Sequence, residues 1–394
     1  MPEQFLHGVE VVQIDDGLRP ISTVKSSIIG IVGTAPEATD DAFPLNTPVL
    51  ITGPRASAAL GQTGTLRDAY DAVYAQGVAV AIVVRVAEGA DDAATLANAV
   101  GNAAQQSGAY ALIGAGAVTG QIPRILIAPG LTRPTDPGAA NPLTNALITV
   151  AAKLRAVVVA DGPNTVEADA ITYAGQFGSD RLFLVDAYVR VFDTVAAQTV
   201  TRPGSAYVAG VISRTDNERG FWWSTSNRLV GGITGLARPI GFAISDPDTE
   251  ANRLNEAKVA VIIREDGFRV WGNRSTSDDP LWAFISVRRT ADLIYDSIER
   301  AHRWAMDRPL SAQLLIDIRD SVQAYLDRLT AQGALLGGTV WLDPELNTKA
   351  TLAAGQLYLD FDIEPPAPLE RLTFRARRNG DYYEELITDF QAAS

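Results

Sequence analysis

The chain has 394 residues, of which 47% are hydrophobic and 20% charged, a balance that excludes a disordered chain and, at this length, leads us to expect two or three domains. Its formal net charge of -13 argues against general binding to nucleic acid or to acidic lipid, since both require clustered basic residues. Cysteine is absent, which excludes disulfides and thiolate metal sites and leaves stability to packing and assembly.

Residues 1–22 (MPEQFLHGVEVVQIDDGLRPIS) have no globular pattern. A β-type stretch carrying Val9, Val11 and Ile14 lies between Gly8 and Asp15-Asp16-Gly17, so an extended arm is expected. Glu3, Glu10 and the two aspartates do not fit a secretion signal. Residues 25–34 end in the apolar run SSIIGIVGT, a strand buried on both faces, and 44–52 (PLNTPVLIT) repeat the pattern. In 65–76, Leu66, Ala69, Tyr70, Val73 and Tyr74 recur at helical spacing, with Thr65 as N-cap and Gly77 as stop. The run 78–86 (VAVAIVVRV) is interrupted by Arg85 and is far shorter than the roughly 20 residues of a membrane helix, so it reads as a strand.

The alternation continues with strand 124–128, helix 143–154, strand 156–160, helix 165–177 and strand 181–185. This order predicts a doubly wound α/β layer with parallel pairing. A helix through 206–212 then leads to Phe221, Trp222 and Trp223, expected to pack between layers. Past Gly272 two long amphipathic helices are predicted, 281–306 and 311–331, separated by Arg308-Pro309. The second carries one apolar stripe (Leu314, Ile318, Val322, Tyr325, Leu326, Leu329), started by Ser311 and stopped by Gly333. Strands 339–342 and 356–363 complete an α+β C-terminal domain. Residues 364–368 (EPPAP) form a stiff linker. Beyond it, Leu372, Phe374 and Ala376 alternate with arginine and threonine as a strand with one apolar face would.

Candidates for chemistry are few. The chain has two histidines, His7 and His302, and neither falls in the α/β layer, so no Ser–His or Cys–His pair can be built there locally. Residues 114–120 (GAGAVTG) suggest a phosphate loop, but Thr119 stands where a dinucleotide fingerprint needs Gly and the P-loop Lys is missing. A tight turn is expected there, and Gly30 and Gly33 fit close packing. Asp161 and Asp186 follow strands at the carboxyl edge, where α/β folds place ligands. A metal-dependent hydrolase could use them. The alternative, that Asp161 starts the turn Asp161-Gly162-Pro163 and Asp186 ends its strand, is preferred because no His or Lys accompanies them. Asp360, Asp362 and Glu364 share one strand face, read as solvated or as a contact to a neighbour's basic residues. The sequon Asn273-Arg274-Ser275 is discounted without a secretion signal. Arg288, Arg289, Arg300, Arg303 and Arg308 crowd one helix, where Asp292, Asp296 and Glu299 could pair with them; alternatively they face an acidic partner.

Residues 253–257 (RLNEA) and above all 262–280 (IIREDGFRVWGNRSTSDDP) resemble the tail sheath family of contractile phages and phage-derived bacteriocins. GFRVWGNRS is the most specific part, with Ser275 where members more often carry Thr. Residues 43–54, 281–309 and 356–374 resemble the same family, while the middle matches only in pattern. The resemblance implies a non-enzymatic, cofactor-free subunit that stacks in hexameric rings around an inner tube and contracts to drive the tube through a bacterial envelope. It implies partners in the tube, baseplate and tail terminator proteins, assembly in the host cytoplasm into a virion tail or phage-tail-like particle, and an outer domain related in fold to subtilisin without its triad. Fold alone would not fix function.

The expected organisation is therefore an N-terminal arm (1–22), an outer subtilisin-like α/β domain (23–270), a tube-proximal domain (271–364) and a C-terminal arm (365–394). Val9, Val11, Ile14, Leu372, Phe374 and Ala376 are the candidates for strand exchange, with flexible links at 17–20 and 365–368. Arg288, Arg289, Arg300 and Arg303 are candidates for tube contact. Phe268, Trp271, Asn273 and Arg274 mark the domain junction. There Asp266-Gly267 should turn, Phe268, Val270 and Trp271 should anchor, and Ser277 or Asp278 should cap the first long helix. The runner-up is a soluble hydrolase or ligand-binding protein using Asp161 and Asp186; a different polymer, such as a capsid or surface-layer protein, would share the arms but not the GFRVWGNRS block.

Overall fold

Short aliphatic runs bounded by Gly, Pro and Asp build the centre of the molecule, which the computed structural model describes for residues 20–78 and 80–393. In chain order the strands are β1 (Ile29–Thr34), β2 (Pro48–Ile51), β3 (Ala81–Val86), β4 (Ile125–Ile127), β5 (Val157–Asp161), β6 (Leu182–Val185), β7 (Tyr188–Asp193), β8 (Gln198–Pro203), β9 (Gly235–Leu236), β10 (Val259–Arg264), β11 (Phe268–Trp271), β12 (Gly337–Leu342) and β13 (Leu359–Glu364). Eight of them form one sheet in the order β11-β10-β6-β5-β4-β1-β3-β2. The six inner strands run parallel, and β2 and β11 close the edges antiparallel.

Alternate residues of each inner strand enter opposite cores, which is why these strands read as unbroken apolar runs. Val157 and Val159 face one core with Ala260 and Ile262, under the helices Leu66–Tyr74 and Gly204–Arg219. Val158 and Ala160 face the other with Val259, Val261 and Ile263, under Pro142–Leu154, Glu167–Ala174 and Glu250–Glu256. Gly33 has no room for a side chain: a Cβ there would lie 2.3 Å from Thr65 Oγ1. Gly30 is similarly hemmed in by Pro123, Leu112 and Leu126.

A third core belongs to the C-terminal region. The helices Ile285–Ala301 and Ala312–Ala331 pack Leu293, Ile294, Val322, Tyr325, Leu326 and Leu329 together and against Val340 of the β12–β13 hairpin. His302 joins the two helices, its Nδ1 2.7 Å from Ile298 O and its Nε2 3.0 Å from Ser321 Oγ. Phe221 and Trp222 enter this core, whereas Trp223 stays half-exposed between Arg219 and Arg228.

Several expectations change. Thr65 precedes its helix but does not cap it; its hydroxyl accepts from Thr34 N (3.0 Å), tying the helix to β1. Residues 114–120 hold a short helix, Ala115–Thr119, ended by left-handed Gly120, rather than a bare turn. Neither Ser277 nor Asp278 caps the first long helix. Asp279 instead caps the 3-10 turn Pro280–Trp282 by accepting from Leu281 N (2.9 Å), and the helix starts at Ile285 without a side-chain cap. Ile21, assigned to the arm, is buried in the third core, and Thr23 Oγ1 lies 3.1 Å from Tyr325 Oη. Val9, Val11 and Ile14 lie outside the described residues. Beyond Pro368 the chain pairs with no strand among the described residues. It ends in a helix not expected from the sequence, Tyr382–Ala392, although Tyr383, Leu386 and Phe390 recur at helical spacing.

Candidate assembly interface

The C-terminal segment leaves the body at β13 and buries almost nothing. Leu369, Leu372 and Phe374 are 76%, 63% and 85% exposed, and Ala376 is exposed as well. Large side chains this open are individually unremarkable, but a run of them on a β-capable segment has the composition of an interface. The helix that follows is equally uncovered, with Tyr382, Tyr383, Leu386 and Ile387 exposed beside Glu384, Glu385 and Asp389. On the body, β12 and β13 pair only with each other among the described residues; Gln323 covers the outer edge of β12, donating to Gly338 O (3.1 Å) and accepting from Val340 N (3.0 Å), so the edge without a partner strand or side-chain cover is that of β13.

The segment is fastened at its root. Pro365 is buried, Leu336 N donates to Glu364 O (2.8 Å), and Glu370 takes a fork of bonds from Arg274, Nε to Oε1 at 3.0 Å and Nη2 to Oε2 at 2.5 Å. Those bonds raise the Arg274 pKa further above its ordinary value, and its guanidinium also lies over the Phe284 ring. Asn273 holds the same place, accepting from Ser224 Oγ (2.5 Å) and reaching Glu370 at 3.5 Å. The linker 365–368 is therefore pinned at both ends, and the chain is released only after Glu370. Phe268 and Trp271 sit on β11 and pack against opposite sheet cores, with Val270 fully buried and Asp266-Gly267 turning at positive φ. The junction thus joins the sheet edge, the first long helix and the root of the C-terminal segment. Sequence spacing could not link Arg274 to Glu370, which are 96 residues apart.

The arginine-rich helix does not present one electropositive face. Arg289 is buried in an ion pair with Asp216 (Nη1 to Oδ1 2.9 Å), and Arg288 pairs with Asp292 and with Asp180 at 3.3 Å, only 13% of its side chain exposed. Both guanidinium groups are spent inside the chain, which removes Arg288 and Arg289 from the candidates for an external contact. Arg300 and Arg303 are exposed, Arg300 with a 3.9 Å approach to Asp296.

The carboxyl edge of the sheet is equally occupied. Asp161 is the last residue of β5, not a turn residue, and its carboxylate accepts from Gly130 N (2.9 Å), Thr132 Oγ1 (3.1 Å) and Ser205 N (3.0 Å). Pro203, at the N-cap of Gly204–Arg219, offers no side-chain bond, so Asp161 caps that helix from another strand. Burial pushes its carboxyl above the ordinary range while the three donors pull it back. Asp186 accepts from Asn164 N (2.6 Å) and from Arg238 (2.6 Å), which also pairs with Glu250; burial raises its pKa too. Arg238 is the cationic partner that local reading missed, because it comes from 52 residues away. Each carboxylate ties elements together, and both residues are fully buried. On the C-terminal hairpin, Leu359, Phe361 and Ile363 pack toward the third core. Asp360, Asp362 and Glu364 alternate with them, and Asp362 accepts from Thr339 N at 2.6 Å. Among the described residues no group of three or more metal-ligating side chains is placed to hold an ion, and no helix is long and apolar enough to cross a membrane.

Three family models match the chain. They are the phage tail sheath protein central domain over residues 98–276, the phage tail sheath C-terminal domain over 277–378, and the tail sheath protein Gp18 domain III N-terminal region over 26–86. The tail sheath protein of Escherichia phage P2 is 38% identical over 396 residues, covering 98% of each chain. Among solved structures, the contracted helical sheath of the anti-feeding prophage aligns with a TM-score of 0.70 at 18% identity, covering 96% of this chain and all of that one. The contracted sheath complex of the extracellular contractile injection system PVC aligns at 0.69 and 17%, covering 97% and 100%. With its surfaces open at the C-terminal segment and its buried carboxylates committed to structure, the chain belongs to the phage tail sheath protein family and is a structural subunit of a phage or phage-like tail, not an enzyme.

Proposed function

We propose that this subunit polymerises as stacked hexameric rings around an inner tube and that rearrangement between rings drives the tube through a bacterial envelope. The observation that carries this reading is the C-terminal segment: alternating apolar residues at 369–376 without a strand partner among the described residues, beside a two-stranded hairpin whose β13 has no second strand neighbour. A neighbour's segment laid along β13 would add backbone hydrogen bonds worth on the order of 0.5–1.5 kcal/mol apiece and cover the exposed side chains. Leu372, Phe374 and Ala376 would make that exchange at one end of the chain, and Val9, Val11 and Ile14 at the other.

In this arrangement residues 23–270 form an outer, doubly wound and subtilisin-like domain without a triad, and 271–364 face the tube. Residues 1–22 and 365–394 serve as arms, the C-terminal one swinging from residue 371. Arg300 and Arg303 are the remaining candidates for the tube. The partners are further copies of the chain, the tube protein, and baseplate and tail terminator proteins, met in the cytoplasm of the bacterial host. Electron microscopy of the purified chain tests the reading. Sleeves or ring stacks of uniform width are expected, and small discrete particles under every buffer condition would overturn it.

A further inference from the structure

The helix Ile285–Ala301 carries Asp292, Asp296 and Glu299 at spacings of four and three residues, which puts three carboxylates on one face. Opposite them stand Arg124, Arg155 and Arg181, each placed one or two residues before β4, β5 or β6, three neighbouring parallel strands of the sheet. Arg181 bonds both oxygens of Asp292, with Nη2 to Oδ1 at 3.0 Å. Arg124 pairs with Asp296. Arg155 reaches Glu299 at 2.7 Å and Asp296 at 3.6 Å. Two of the arginines are also held from behind, Arg181 donating to Ala156 O (3.1 Å) and Arg124 to Leu154 O. Each guanidinium of that pair is a bridge between a backbone carbonyl in the 154–156 segment that leads into β5 and a carboxylate of the helix. The Arg289–Asp216 pair makes a further tie, to the end of Gly204–Arg219.

Apolar contact across the same joint is sparse. Beyond residue 271, only Ile285 joins the two sheet cores among the described residues, and the third core takes Phe221, Trp222 and Val24 from the α/β side, with Ile21 just before it. A small greasy contact tolerates rotation, whereas a planar guanidinium fork bonded on both sides fixes distance and direction together.

We propose that this arginine–carboxylate row is an ionic latch that sets the orientation of the α/β domain on the C-terminal domain, so that the two move as one piece while the row is intact and turn about the Phe221–Trp222 contact when it is broken. In a polymer of the kind proposed above, the latch would carry displacement of the C-terminal domains to the outer domains. The latch itself is a property of the single chain and does not depend on that reading.

The test uses the absence of native cysteine. Lys153→Cys and Ala324→Cys place spin labels on exposed helix positions, one in each domain, and labelled full-length chain is diluted into unlabelled chain so that only distances within one chain are measured. The parent should give one narrow distance distribution. Asp292→Asn, Asp296→Asn and Glu299→Gln combined should at least double its width while circular dichroism stays unchanged. Should the triple variant fail to fold, the more exposed pair decides: Arg155→Glu alone should broaden the distribution, and Arg155→Glu with Glu299→Arg should narrow it again. An unchanged width in the folded triple variant would overturn the latch. So would a charge swap no narrower than the single variant, whatever the microscopy of the polymer shows.

Discussion

The inner strands of the sheet and the segment after β13 are both β-patterned, the first as unbroken apolar runs and the second as apolar residues alternating with polar ones, yet they end in opposite states. Phe183 on β6 is fully buried between layers of its own chain, while Phe374 is 85% exposed. Each of the six inner strands of the main sheet has a strand on both sides; residues 369–377 have none among the described residues. The lesson is that β-patterned sequence specifies a demand for pairing and burial without specifying which chain meets it.

The comparison can be broken by mutation. Phe183→Ala should show the largest effect, a loss of about 3–5 kcal/mol in chemical denaturation, because a cavity opens in a core that cannot collapse around it. A loss below about 1 kcal/mol would mean that the sheet is not the stability centre. Asp161→Ala should cost about 1–3 kcal/mol by stranding the amides of Gly130 and Ser205. Its chief signature should be faster amide exchange in the first turn of Gly204–Arg219. Phe374→Ser should leave the isolated chain within about 0.5 kcal/mol of the parent, as expected for an exposed site, but should strip sleeves from the electron micrographs. Sleeves of normal length from that variant would remove the C-terminal segment from the assembly contact.

How much of this was legible depended on the range of the interaction. Most of the strand and helix order from 25 to 185 could be read because apolar runs and period-3.6 patterning are local, although the helix Asp92–Val100 between β3 and β4 was missed. The Ser311 cap, with its 3.2 Å bond from Leu314 N, was legible for the same reason. The Asp161 cap was not, since the amide it accepts from, Ser205 N in the first turn of the helix, comes 44 residues later. Arg289 was taken for a surface residue because charge on an amphipathic helix usually faces water; its partner Asp216 lies 73 residues away and the pair is buried. The terminal helix was missed because Tyr383, Leu386 and Phe390 share it with too few further residues to outweigh an expected arm.

By itself, the sequence determined most of the elements, the unbroken apolar runs that require two covered sheet faces, the lack of histidine in the α/β layer and, through GFRVWGNRS, the resemblance to sheath proteins. Those features are set by residue type and by neighbours within a turn or a strand. Only the tertiary structure decided that Arg274 clamps Glu370, that Asp161 and Asp186 are structural ties, and that three strand-leading arginines meet three carboxylates of one helix. Charge pairing carries no sequence period across such separations, so chain folding alone determines which arginine meets which carboxylate.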